Sequence, residues 1–314
     1  MLKYIARRLA LMIVVVLGVT IMTFSIMHLA PGDPAEMIAI ARYGDDNLTP
    51  EDIEKIRITE GLDAPVYIQY MRWLKHVIKG DFGASLITGD LVQEEILIRF
   101  PTTLKLALAA LLVSLLIAVP AGIISAVKQY SPIDYLTMTG ALLGVSMPNF
   151  WLGLLLILLF SVTLGWLPVC GYGGLRHIAL PAITLGTGMA AITTRLTRSS
   201  MLEVLKQDYI IAARAKGLRE KSIVSDHALK NAFIPVITVV GLQLGHLLEG
   251  TVIVETIFAW PGLGKLLVDS IFARDFAMLQ GCVLYFAILF VIVNLLVDIS
   301  YVYLDPRIRY EREA

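Results

Sequence analysis

Long apolar runs alternate with shorter polar ones along this chain. Leu9 to Ala30, Pro101 to Val127, Tyr135 to Leu164, Ile178 to Thr194, Phe233 to Phe258 and Met278 to Tyr303 are predominantly apolar. Each approaches or exceeds the roughly 20 residues that a helix needs to cross a hydrocarbon layer. Inside lipid a helix satisfies its own backbone hydrogen bonds. The pattern predicts an all-α polytopic membrane protein with spans at about 9–30, 101–127, 135–164, 178–194, 233–258 and 278–303, forming a single transmembrane domain over 1–314.

The first run could be misread as a signal peptide. It is longer than a usual leader core, and Pro31 follows directly where cleavage would be wanted. Lys3, Arg7 and Arg8 precede it, so an uncleaved span with its N-terminus inside is expected.

The polar intervals orient the rest. Residues 31–100 carry thirteen Asp/Glu against seven Lys/Arg, which suits the outer face. Within them Thr49, Pro50 and Asp52 have capping-box spacing, and Gly61 stops the helix they begin. Val66, Tyr70, Leu74 and Val77 then form a helical apolar stripe that ends at Gly80. This external helical loop reads either as a plain cap or as a gating or receptor-facing element.

Residues 195–232 are of the opposite kind. Arg195 to Lys230 holds eight Lys/Arg against four acids. Each such charge would cost roughly 2.5–3.5 kcal/mol at a bilayer centre, so this is a cytoplasmic loop. Asp208 to Lys216 reads as a short helix with small residues at Ala212, Ala213 and Ala215. Gly217 falls where a helix C-terminus wants positive φ. A second helical run is expected from about Glu220 to Phe233, with Pro235 opening the next apolar segment. Such a helix–Gly–helix suits docking into a partner's groove, although an ordinary basic loop has the same ingredients.

Polar residues inside the spans are the other candidates. Pro148 must break or kink the third run, which makes Met147 and Asn149 pathway candidates beside a purely structural kink. The fifth run carries Gln243, His246, Glu249 and Glu255, with His246 and Glu249 on one helix face. Two readings stand for that pair: ligands in a cavity, or a His–Glu couple holding helices together. Imidazole and carboxylate would suit a divalent metal or a cationic group.

Composition agrees: 57% of the residues are hydrophobic and mean hydropathy is +0.75, against about 45–50% apolar for soluble domains. Net charge is zero, so nucleic-acid binding has no support. Cys170 and Cys282 make neither a disulfide framework nor a metal site. There is no P-loop: Gly262-Leu-Gly-Lys265 lacks the upstream Gly and runs into Leu266. Any ATP is bound by another chain.

Ala212-Ala213 followed by Gly217 resembles the cytoplasmic coupling loop of binding-protein-dependent ABC importer permeases. The general family pattern begins Glu-Ala-Ala, whereas Ile211 stands in the Glu place here, and the usual Ile-x-Leu-Pro ending is absent at its normal spacing. Instead ARAKGL (213–218), HALKNAFIP (227–235), PGDPA (31–35), DFGASL (81–86) and TIFAWPGLGK (256–265) resemble the B-type subunits of the peptide/nickel branch, as does the basic DPR tail. LGVSMPNFWLGLLLILLFSV (143–162) and the short run 171–182 look most like the nickel B-type subunit.

The resemblance implies a type I ABC importer permease fold, with Asp208, Ala212, Ala213, Arg214, Ala215, Lys216, Gly217 and Leu218 as the coupling helix against an ATPase. It implies a second, C-type permease, two ABC ATPase subunits that carry ATP and Mg, and an external solute-binding protein. The chain itself would hold no cofactor and no catalytic residue. It would sit in a bacterial or archaeal plasma membrane with both termini cytoplasmic, moving free or chelated nickel. A dipeptide, oligopeptide or other metal-chelate permease is the alternative. An ion-coupled secondary transporter leaves the coupling loop unexplained, and an intramembrane metalloenzyme lacks a His-Glu-x-x-His pair.

Overall fold

The computed structural model describes residues 2–29, 32–44 and 48–304. Pro31 and the basic tail 305–312 lie outside the described residues. The chain forms α1 (Leu2–Leu29), α2 (Pro34–Tyr43), α3 (Pro50–Thr59), α4 (Val66–Ile78) and α5 (Val92–Val127). Then come α6 (Pro132–Ser146), α7 (Asn149–Leu156) with a π-helical extension (Ile157–Thr163), α8 (Leu175–Leu205) and α9 (Asp208–Ala215). The single turn α10 (Glu220–Ser222) leads through a π-helical stretch (Ile223–Ala228) into α11 (Leu229–Ile257), and α12 (Leu263–Phe272) and α13 (Phe276–Leu304) follow. No strand occurs among the described residues, apart from an isolated bridge between Ala84 and Leu91.

Val92–Val127, Leu175–Leu205, Glu220–Gly245 and Phe276–Val297 are each long and apolar enough to cross a bilayer. The pair α6 and α7 adds a fifth crossing only if both halves are taken together, and α1 offers the shorter apolar stretch Ala10–Ile26. The expected third span, 135–164, is thus not one helix: its halves meet at 107°. Met147 (φ −85°, ψ 124°) and Pro148 (φ −60°, ψ 138°) are both extended. The proline ring disfavours the helical conformation in the residue before it, and two consecutive extended residues end α6.

Pro235 behaves otherwise. It lies inside α11, as Pro181 lies inside α8, and neither ends its helix. The helical run expected to stop near Phe233 therefore continues through Ile257. Likewise α8 runs past the expected membrane boundary at Thr194 to Leu205.

The described chain divides into two compact units, Met1–Thr102 with Pro261–Val291, and Thr103–Trp260 with Ile292–Ala314. In the first, Asp33 and Thr49 cap α2 and α3 with their side-chain oxygens, accepting from the amides of Ala35 and Asp52. The Thr49 hydroxyl also donates back to Asp52 and holds that carboxyl below its usual value. Asp33 pairs with Arg57, while Ala35, Ile38, Ala39 and Ile56 form the small core between the two helices. Buried Asp275 ties the 81–91 loop to the start of α13: its carboxylate accepts from the Ser85 hydroxyl and from the amides of Leu86 and Met278.

The second unit is built around α8. Membrane helices gain little from burying apolar surface against one another, so close backbone approach supplies the contact. A methyl group added at Gly186 would lie 2.7 Å from the Ala110 carbonyl oxygen on α5. One at Gly122 on α5 would lie 2.6 Å from Cβ of Thr197. Three buried threonines of α8 donate to their own helix: Thr184, Thr194 and Thr197 bond the carbonyls of Leu180, Ala190 and Thr193 at 2.7–2.8 Å.

Gly186→Val should therefore force α5 off α8, an overpacking cost of roughly 1–3 kcal/mol or more. The expected outcome is a lowered thermal midpoint of the detergent-purified protein, with Gly140→Val, which meets open space, unchanged by comparison.

Candidate functional site

The expected coupling residues form a short strap. Helix α9 buries Ile210 and Ala213, one turn apart, in a cluster with Ala126, Met201, Ile223, Ala228 and Ala232. The opposite face is open: Tyr209, Ile211, Ala212, Arg214, Ala215, Lys216 and Leu218 are exposed. The helix stops as the sequence leads one to expect. Gly217 takes φ +78°, its amide donates to the Arg214 carbonyl (2.9 Å), and the Leu218 amide donates to that of Ala213 (3.3 Å). This is the paired hydrogen-bond pattern of a Schellman stop. Arg214 then reaches over the turn to Glu220 with two hydrogen bonds, 3.1 and 2.6 Å. On the other side Asn231 donates to the Tyr209 hydroxyl at 2.8 Å. The strap thus presents a small-residue face with apolar Ile211 and Leu218, braced at its turn and against α11.

Its seat is fixed by an ion pair that the sequence reading missed. Asp134, which falls between the expected second and third spans, sits in the first turn of α6 with its side chain 4% exposed. Arg198 of α8 grips both carboxylate oxygens at 2.7 Å. The Ser125 hydroxyl of α5 and the Tyr130 amide donate to the same carboxylate. Tyr130 is held at φ +61°, unusual for a residue with a side chain. The available signal was local: Ser131, Pro132 and Asp134 have the spacing of a capped helix start, and Ser131 does cap α6. That spacing removes Asp134 from the loop and leaves a carboxylate in want of a cation.

The pathway candidates separate. Asn149, the first residue of α7, lies between α8 and α11. Methyl groups added at Gly188 and Gly250 would each meet its amide at 3.5 Å. Gln243 of α11 is buried on the same α8–α11 seam, where Thr193 donates to its carbonyl oxygen at 3.3 Å and its Nε2 has no partner among the described residues. Met147 is half-buried at the bend. Glu255 is fully buried, but twelve residues beyond Gln243 along α11, roughly 18 Å away. The side chains of His246 and Glu249 lie outside the described residues. Among the described residues no three His, Cys, Asp or Glu converge as a metal site.

A broken helix against a polar seam, a glycine-packed central helix and an exposed strap on a braced seat define a multi-pass membrane transport subunit. The chain belongs to the family of binding-protein-dependent transport system inner membrane components, whose model matches residues 118–310, and the N-terminal model of such membrane components matches 1–107. It is a permease subunit of an ABC importer, on the peptide/nickel branch, and ATP hydrolysis in such importers is carried by separate ATPase subunits.

Several relatives match end to end. The di/tripeptide transport system permease protein DppB of Pseudomonas aeruginosa is 45% identical, over 99% of this chain and 100% of the relative. The oligopeptide transport system permease protein AppB of Bacillus subtilis is 43% identical over 99% and 100%. The glutathione transport system permease protein GsiC of Salmonella paratyphi A is 44% identical over the same shares. An inward-facing structure of the MetNI methionine ABC transporter shares the fold, with a TM-score of 0.58 at 18% identity, over 67% of this chain and 96% of that one.

The Asp134–Arg198 pair makes a direct prediction. Arg198→Ala leaves a buried carboxylate uncompensated and should cost roughly 3–5 kcal/mol. Arg198→Ala combined with Asp134→Asn should recover part of the loss. Thermal unfolding of the three solubilised proteins measures it, and equal midpoints for the single and double variants would contradict it.

Proposed function

We propose that this chain lines half the pathway of an importer for short peptides. What carries the reading is that relatives 43–45% identical along the whole chain are named for di/tripeptide, oligopeptide and glutathione transport. The nickel expectation has no such support among these names. A short peptide needs hydrogen-bonding partners along its route, and the unpartnered Nε2 of Gln243 and the amide of Asn149 on the α8–α11 seam suit its carbonyls and amides.

In this proposal α9 docks in a cleft of an ABC ATPase subunit through the face of Ile211, Ala212, Ala215 and Leu218. A second, C-type permease completes the pathway, two ATPase subunits hold ATP and Mg, and a binding protein delivers peptide to the outer mouth. ATP binding closes the ATPase pair, the coupling helices move with it, and the bundle exchanges outward for inward access. Both termini and the 195–232 stretch then lie in the cytoplasm of a bacterial or archaeal cell.

Two outcomes follow from this reading. Gly217→Val places a β-branched residue at φ +78° with no steric neighbour, so its effect is backbone strain of roughly 1–3 kcal/mol at the helix stop. Uptake per ATP hydrolysed should fall, while Gly217→Asn, which tolerates that conformation, stays near the parent. Unchanged coupling with valine would remove α9 from the coupling role. Cells deleted for this chain should lose uptake of labelled dipeptide and keep uptake of labelled nickel. The reverse result would return the substrate to nickel.

A further inference from the structure

A cavity of about 560 Å³ opens within the first unit, at the ends of α1 and α3, along α4 and beside the start of α13. It shares no residue with the α8–α11 seam or with the α9 strap. That volume lies within the range of small-ligand sites, roughly 300–1,000 Å³. Its walls divide by chemistry. Phe24, Trp73 and Phe82 supply aromatic surface, with Phe24 and Trp73 centred 6.0 Å apart. Arg72 and His76, one turn apart on α4, supply donors.

The wall is braced independently of any ligand. His28 of α1 contacts the Phe24 carbonyl oxygen (3.0 Å) and Gln69 Oε1 of α4 (3.1 Å). Gln69 in turn donates to the carbonyls of Leu62 and Ala64. Two carboxylates also line the cavity: Asp81, whose Oδ1 accepts from the Gly83 amide at 2.9 Å, and Glu60. Arg72 differs from these: its guanidinium makes no ion pair or hydrogen bond among the described residues. An unpaired guanidinium beside an aromatic wall is a fork for a carboxylate whose apolar body lies against the rings.

We propose that this cavity is a second peptide site, which takes a short peptide by its free C-terminal carboxylate at Arg72 and buries an apolar side chain against Phe24, Trp73 and Phe82. The assignment rests on the short-peptide reading above. It gives the 31–100 stretch a ligand-binding role. The preferred cargo at this site is a peptide ending in a large apolar residue. A C-terminal amide forfeits the charge-assisted bonds and binds weakly.

The test uses the assembled importer in lipid nanodiscs with the binding protein left out. Equilibrium binding of tritiated Ala-Phe and of its C-terminal amide is measured. The acid should bind saturably and the amide about tenfold more weakly, the size of a charge-assisted hydrogen bond. Arg72→Gln should weaken the acid about tenfold and abolish the distinction between acid and amide. Trp73→Leu should weaken both ligands, and Lys75→Gln, exposed on the same helix and outside the cavity, neither. Absence of saturable binding overturns the proposal, as does continued discrimination of acid from amide by Arg72→Gln. A phospholipid retained by the parent and lost by Arg72→Gln in native mass spectrometry, without peptide binding, also overturns it. Uptake of Ala-Phe by cells is measured alongside. Uptake without receptor-free binding sinks the second site alone, whereas no uptake by the parent transporter sinks the short-peptide reading and this proposal together.

Discussion

The bidentate bond between Arg198 and Asp134 is the constraint on which the second unit depends. A buried carboxylate is costly unless every lone pair is met, and here a guanidinium, a hydroxyl and a backbone amide meet it. The three donors come from α8, α5 and the turn between α5 and α6. One side chain therefore fixes where three helices stand at one end of the unit. Ala126, next to Ser125, and Met201, one turn beyond Arg198, belong to the cluster that receives Ile210 and Ala213. The position of α9 is inherited from the ion pair through these neighbours.

Away from that end the unit is held by shape. Gly122 and Gly186 let α5 and α8 touch backbone to side chain, and Thr184, Thr194 and Thr197 of α8 turn their hydroxyls onto their own helix's carbonyls, with Thr193 reaching across to α11. These three hydroxyls demand nothing polar from neighbouring helices. That frees the seam with α11 for side chains whose hydrogen bonds are not all spent. Gln243 uses its oxygen on Thr193, and its nitrogen meets no partner among the described residues.

Features with local causes were legible in the sequence. Thr49, Pro50 and Asp52 specify a helix start within four residues, and Gly217 specifies a stop within one. Pro148 announces a break because the residue before it is pushed extended, yet the size of the bend depends on two consecutive extended residues and on packing. Pro235 carried the same local signal and ends nothing. A proline in a membrane helix is tolerated when neighbours re-satisfy the freed carbonyl, which sequence alone does not reveal. Asp134 and Arg198 are 64 residues apart, and read along the chain each looked like an ordinary charge flanking a membrane segment. The strap was legible because its helix, stop and exposed face all fall within about a dozen residues, whereas the seam joins residues from three helices.

The unbroken length of α8 has a mechanical meaning. Thirty-one helical residues make a rod of roughly 46 Å. Gly188, beside the break in the α6–α7 pair, and Leu205, three residues before α9, lie on that one rod. A stiff rod converts rotation into translation: over the seventeen residues from Gly188 to Leu205, roughly 26 Å, a tilt of about 5° displaces one end by roughly 2 Å. Pro181 lies N-terminal to this stretch, which carries no proline of its own to bend it. A displacement imposed at the Leu205 end would reach the seam beside Gly188 as a change of geometry, its size set by where along α8 the fulcrum lies.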